Sequence, residues 1–362
     1  MISKKSLRKR YNFWAVATFA LVALAFSAAT AIMGIAADKP KTIAEVALYK
    51  GADRQKILEE GAKKEGKLMF YHTGMVNNAV RRIFEAFRKK YPFINMQTWR
   101  ERSETILPRM FEERKSGKDF VDIIEGTQMT AVILQKQGLI QPFYSPEQAY
   151  YRNDAFAEAP EGGVYFVTFR EMGVSLGYNT NLITKEEIPK TYQDLLNPKW
   201  KGKIPLSTSS AGKNFMGSML VSYGEDFVRR MAKQDFIIHT VTAKAISDMV
   251  VAGEYMFCPT IYYNHISTVK RVGAPVDWFP LEPVPVTLGR IALAKHSTHP
   301  HAALLLIDFQ LSKESALIRR DEDFNSPRKD VSGGTTYKQF IGAKSYEEQV
   351  KWIKLFNKLF LE

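Results

Sequence analysis

The sequence predicts an α/β fold in two lobes, and three observations carry that expectation. Between residues 67 and 137, short apolar strand-like runs alternate with amphipathic helical runs, the pattern of a largely parallel sheet. The chain has 362 residues, enough for two substantial cores. The stretch VDWFPLEPVP at 276–285 is Pro-rich and extended, and it is expected to carry the chain back from a second lobe to the first.

The elements follow in order. MISKKSLRKR holds five basic residues and no acid, an apolar run follows at 13–26, and Ala29-Thr30-Ala31 comes next. These are the basic, apolar and small-residue parts of a secretory signal peptide. Cleavage is expected after Ala31, with Ala37 the second choice; an uncleaved membrane anchor is the alternative. Residues 38–66 are a helical lead-in. A first strand is expected over 67–71, a helix with apolar Val80, Ile83, Phe84 and Phe87, a second strand over 93–100 and a helix from Ser103 toward Lys115. A third strand is expected over 119–124 and a helix over 129–137.

Residues 144–163 are irregular, and two strands follow, over 164–169 and 174–178. A short helix at 192–196 and a strand at 203–206 precede a Ser/Thr/Gly bend, with a helix opening near Lys213. Further helices are expected near 225–233, 241–251 and 263–270. A strand at 291–294, an apolar helix at 299–311 and a terminal amphipathic helix at 346–361 complete the chain.

Composition narrows the function. Hydrophobic content of 45% and charged content of 25% are those of a globular protein. Without the leader, 46 Lys and Arg stand against 38 acids, a net charge of +8, which suits an anionic ligand or an anionic membrane surface. Cys258 is the one cysteine, so no internal disulfide forms, no lipid-modified cysteine follows the leader, and a soluble periplasmic location is expected. Cys258 reads as a small buried hydrophobe. No paired carboxylates, Ser/His/Asp set, phosphate loop or zinc spacing stands out, so no enzymatic activity is expected.

The candidate site starts at the bend. A strand running into Ser207, Thr208, Ser209 and Ser210 at a helix start is an anion site, because the first helical N–H groups lack internal partners. Ala211 and Gly212 let the backbone come close. An ordinary capped helix explains the same residues. In a parallel sheet, ligands sit beyond the carboxyl ends of the strands. The loops starting at His72, Glu101 and Gly126 leave that edge. Arg100, Arg102 and Arg170 are suited to bidentate recognition of a carboxylate or phosphate. KHSTHPH offers His296, His299 and His301, but Pro300 fits the first turn of a helix and the structural reading is preferred.

Six ordered segments carry a resemblance: GADRQKILEEGAKKEGKLMFY, KQGLIQPFYSP, GYNTNLI, TYQDLLNPKWKGKI, VVAGEY and HPHAALLLIDFQLSKESA. Together they resemble the periplasmic solute-binding proteins of ABC importers, ferric-iron-binding type. The resemblance implies a type II two-lobe periplasmic-binding-protein fold with a hinge. Its divisions would be 67–178 for the first part of lobe 1, 179–280 for lobe 2, 281–318 for the return to lobe 1 and 319–362 for C-terminal helices. It also implies capture of a small solute between the lobes and delivery to an inner-membrane permease, by a monomer with no nucleic-acid partner and no cofactor.

In the ferric-binding members, an adjacent tyrosine pair ligates Fe(III). Here that pair would be Tyr262 and Tyr263, with His72 as the further metal ligand and Glu101 or Glu104 as a carboxylate. The spacing from Gly253-Glu254 to the tyrosines is one residue short of the family pattern. The cradle is expected at Ser209, Ser210, Ala211 and Gly212, with Tyr262, Tyr263, His72, Thr73, Ser103 and Thr127 around it, and Arg102 and Arg170 available to an anion. Ferric iron with an anion, or a small anionic ligand such as an organic acid or phosphonate, both remain open.

Overall fold

Lobe 1 begins as the strand–helix alternation leads one to expect. In the computed structural model, residues 40–73, 78–101, 103–331, 337–343 and 345–362 are described. The expected signal peptide and Arg102 lie outside them. The lead-in forms α1 (Ile43–Leu48) and α2 (Arg54–Glu65), then come β1 (Lys67–His72), α3 (Asn78–Lys90), β2 (Asn95–Arg100), α4 (Ser103–Lys115), β3 (Ile123–Thr127), α5 (Gln128–Lys136), β4 (Ile140–Gln141) and β5 (Phe156–Glu158). β1 lies between β2 and β3 and is parallel to both, pairing His72 with Arg100 on one side and with Glu125 on the other.

The remaining elements are β6 (Val164–Asn179), β7 (Pro205–Ser207), α6 (Ser210–Tyr223), α7 (Glu225–Ala232), β8 (Ile237–His239), α8 (Ala243–Ala252), β9 (Phe257–Tyr262), α9 (Tyr263–Lys270), β10 (Val276–Phe279), β11 (Val284–Ala294), α10 (Pro300–Leu311), α11 (Lys313–Arg320), β12 (Gln339–Phe340) and α12 (Tyr346–Phe360). The main sheet runs β10-β6-β11-β3-β1-β2.

Several boundaries differ from expectation, and for four of them the structure shows the physical reason. β3 starts at Ile123 rather than 119, because Asp122 is turned to cap other segments. It is fully buried, and its carboxylate accepts from Met69 N at 2.8 Å, Ser297 Oγ at 2.7 Å and His299 N at 3.1 Å. The two strands expected over 164–169 and 174–178 are one 16-residue strand, because β11 pairs with it through the gap, Val286 opposite Gly173 and Leu288 opposite Glu171. β11 starts at Val284 rather than 291 for the same reason. α6 opens at Ser210, three residues before Lys213, because Ser209 supplies the cap.

Two of the three histidines of KHSTHPH, His299 and His301, hold the structure together at the helix start. His299 Nδ1 lies 3.0 Å from Asp122, and His301 Nδ1 lies 2.6 Å from Glu65, whose carboxylate also accepts from the His301 and Ala302 amides. Glu65 thus caps α10 from α2, placing a negative charge at a helix amino end. α10 is buried nearly all round, from Ala302 to Ile307, because it lies between the sheet and α2.

Two apolar clusters dominate among the described residues. Leu68, Phe70, Ile83, Phe87, Leu304 and Leu305 belong to one. Leu176, Trp200, Phe215, Phe257, Trp352 and Phe356 belong to the other, which places α12 in the second lobe's core. Each such side chain, fully buried, contributes about 1.5–3 kcal/mol.

Candidate functional site

β6 and β11 run antiparallel from Ile291–Val167 in the first lobe to Val286–Gly173. Beyond that point β6 pairs with β9 and β10 of the second lobe, Val174 opposite Tyr262 and Asn179 opposite Val276. Both lobes therefore hang on one pair of strands. A cleft of about 210 Å³ opens beside them. Ser103, Thr127 and Thr130 line it from the first lobe, Ser210, Lys213 and Asn214 from the second, and Thr287 from β11.

The first-lobe hydroxyls form a chain. Thr130 Oγ1 lies 2.8 Å from Ser103 Oγ and 3.1 Å from Thr127 Oγ1. Across from it, Thr287 Oγ1 accepts from Asn214 Nδ2 at 3.0 Å.

The Ser/Gly bend divides its labour. Ser207 Oγ donates to the Val241 carbonyl at 2.9 Å and lies 2.8 Å from Ser209 Oγ, which accepts from the Ala211 amide as helix cap. Ala211 is buried in an apolar cluster with Val174 and Ala243, against which Tyr262 packs. Gly212 faces its own loop: a Cβ there would sit 1.7 Å from the Ser207 carbonyl oxygen. Of the four expected cradle residues, Ser210 alone lines the cleft. Lys213 and Asn214 stand with it, one turn on.

The tyrosine pair diverges. Tyr262 OH lies 3.0 Å from Thr287 Oγ1 and so reaches the cleft through Thr287. Its phenol is held above the ordinary range by burial. Tyr263 is buried and packs its ring 5.0 Å from that of Trp278, and burial pushes its phenol up too.

His72 also stands apart from the cleft lining. It is buried, stacked on Phe70 at 5.1 Å and edge-on to Phe84 at 5.8 Å, beside a separate cavity of about 20 Å³. Glu125 and Arg170 line that cavity as well, and Arg170 donates to Glu125 in a buried ion pair. Thr73 Oγ1 donates to the same carboxylate at 3.4 Å. The expected metal set of Tyr262, Tyr263 and His72 therefore faces three different surroundings. Arg170 is occupied by Glu125 rather than offered to a ligand. Ser103 and Thr127 do line the cleft.

Burial lowers the His72 pKa from its ordinary 6.5, so the ring is neutral at pH 7. The unfolded chain then binds a proton below pH 6.5 that the folded chain takes up only at lower pH. Stability is expected to fall as pH drops below 6.5, by at most about 1.4 kcal/mol per pH unit from this group. Urea unfolding at pH 7 and pH 5 measures it, and His72→Gln should narrow the difference. An unchanged difference would assign the slope to other groups.

The residues that sequence reading missed are Lys213, Asn214, Thr130 and Thr287. Helical spacing from Ser210 would have found the first two, at i+3 and i+4. Thr130 lies at that same i+3 spacing from Thr127. Thr287 carried no signal, because VPVTLGR was not expected to be strand before residue 291.

Two lobes on a shared strand pair, with a polar cleft beside it, define a hinged solute-binding fold. Residues 118–353 match the family described as bacterial extracellular solute-binding protein, and the chain belongs to that family. It is 23% identical over 211 residues to Iron uptake protein A1 of Synechocystis sp., an alignment covering 53% of this chain and 57% of that relative's length. Among solved structures, iron-bound HitA from Pseudomonas aeruginosa superposes with a TM-score of 0.67 at 18% identity, covering 81% of this chain and 99% of that one. AfuA from Actinobacillus pleuropneumoniae, with exogenous fructose-6-phosphate bound, gives a TM-score of 0.69 at 18% identity, covering 82% and 99%. These likenesses establish the two-lobe periplasmic-binding-protein fold. No described helix is long and apolar enough to cross a membrane.

Proposed function

We propose that this protein is a periplasmic receptor of an ABC importer that captures a small organic anion bearing hydroxyls or a phosphate or carboxylate group, and hands it to an inner-membrane permease. One observation carries the reading. Lys213 points its half-buried chain at the cleft and has no ion-pair partner among the described residues, while no carboxylate stands in the cleft lining. A basic side chain without a counter-charge, in a cleft lined otherwise by neutral groups, favours a solute that carries negative charge. Ser103, Ser210, Asn214 and Thr287 add neutral polar groups, a set suited to orienting an oxygen-rich solute. Fe(III) prefers anionic oxygen donors, and the described cleft offers the phenol of Tyr262 only at second hand.

A ferric ion carried as a complex with such an anion is the second reading, favoured by the likeness to Iron uptake protein A1. Titration calorimetry with citrate, fructose-6-phosphate, inorganic phosphate and ferric citrate tests both. An iron-free organic anion is expected to bind, and Lys213→Met should weaken it by roughly 10- to 100-fold, the worth of one charge-assisted hydrogen bond. Binding of ferric citrate alone, insensitive to Lys213→Met, would sink the first reading.

A further inference from the structure

The end of the chain crosses the cleft. α12 is held to the second lobe by apolar burial: Trp352 sits against Gly217 of α6, where a Cβ would come within 2.4 Å of the indole, Phe356 is fully buried, and Phe360 meets Phe236 edge-on at 5.6 Å. Its other end meets the first lobe through polar contacts, one between exposed side chains and one part-buried. Glu347 pairs with Lys136 of α5 at 2.7 Å, the same ammonium lies 5.2 Å over the Tyr346 ring, and Gln128 Nε2 donates to the Ala343 carbonyl at 2.9 Å. Between these two attachments, Gln349 and Ile353 face the cleft alongside Met129 and Ile133 of α5.

We infer that the described stretches 337–343 and 345–360 form an interlobe strap: it moves with the second lobe, walls one side of the cleft, and clasps the first lobe at Lys136 and Gln128. The two ends differ in the way a releasable clasp requires. Withdrawing Trp352 and Phe356 would expose a core, whereas parting the first-lobe end exchanges one solvated ion pair and one hydrogen bond for contacts with water. Opening of the lobes therefore breaks the first-lobe end and leaves the second-lobe end seated. Lys136 and Glu347 are half or more exposed, so the clasp is weak, as a part that opens at every binding cycle must be. This does not depend on which solute the cleft takes.

The test uses charge reversal in the ligand-free protein and reads cleft access. Ser210→Cys places a thiol in the cleft wall, and Cys258 is fully buried, so the alkylation rate by a charged maleimide reports access at position 210. In that background Lys136→Glu and Glu347→Lys each set like charges together and should raise the rate two- to five-fold. The double reversal restores opposite charges and should return the rate to that of the parent. Equal rates in all four proteins, or a double reversal as fast as the singles, would overturn the strap. Both residues lie on the surface, so a circular-dichroism spectrum unchanged from the parent is expected throughout.

Discussion

Glu125→Ala should destabilise the protein by about 3–5 kcal/mol, the usual result of removing one partner of a buried ion pair. Glu125 is 2% exposed and Arg170 is 3% exposed. Arg170 sits on β6, opposite Gly289 of β11, at the strands that both lobes share. Its other contacts are weak, from Nη1 to the Met172 sulfur at 3.0 Å and from the guanidinium to the Phe169 ring at 5.8 Å, and its Nε has no partner among the described residues. Removing the carboxylate leaves a guanidinium with nothing to balance it. The paired replacement Glu125→Leu with Arg170→Met removes both charges and should cost less than the single change. Urea denaturation of the three variants measures the cycle. If the double variant is as unstable as Glu125→Ala, the loss comes from packing rather than from the orphaned charge.

Gly212→Ala is expected to cost about 2–3 kcal/mol and to abolish binding in the cleft. The added methyl would lie 1.7 Å from the Ser207 carbonyl oxygen, and that atom is backbone. Ser207 is fixed from three sides: its amide donates to Thr260 Oγ1 at 3.1 Å, its hydroxyl donates to Val241, and β7 holds it opposite His239. The start of α6 must therefore move, and Ser210, Lys213 and Asn214 move with it. Ser209→Ala removes the cap and the contact with Ser207 Oγ, and should cost about 1–2 kcal/mol while leaving binding nearly intact. Binding that survives Gly212→Ala unchanged would show that the bend does not position the cleft wall.

The contrast between these residues shows what a sequence can reveal of such a site. The strand–helix alternation, the terminal amphipathic helix and the capped start of α6 follow from local periodicity and turn chemistry, and they are found close to where those signals put them. The cleft depends on what two distant segments do together. Arg170 looked like an anion ligand because Arg is suited to one, but β3 places Glu125 beside it, and nothing local to either residue announces that pairing. Tyr262 and Tyr263 are adjacent in sequence, yet the end of β9 falls between them, so one turns toward Thr287 and the other toward Trp278. Gly212 was read as room for a ligand; the Ser207 carbonyl takes that room. The role of α12 was hidden for a similar reason. Its amphipathic pattern predicts a helix with a buried face, while Gly217, 135 positions before Trp352, determines where that face lands.

The most direct test of the anion reading is native mass spectrometry of the mature protein as isolated from its host, with a metal assay on the same sample. The expected result is a one-to-one complex with a metal-free organic anion, strongly depleted in Lys213→Met. Stoichiometric iron bound without an organic anion, and retained in Lys213→Met, would contradict it.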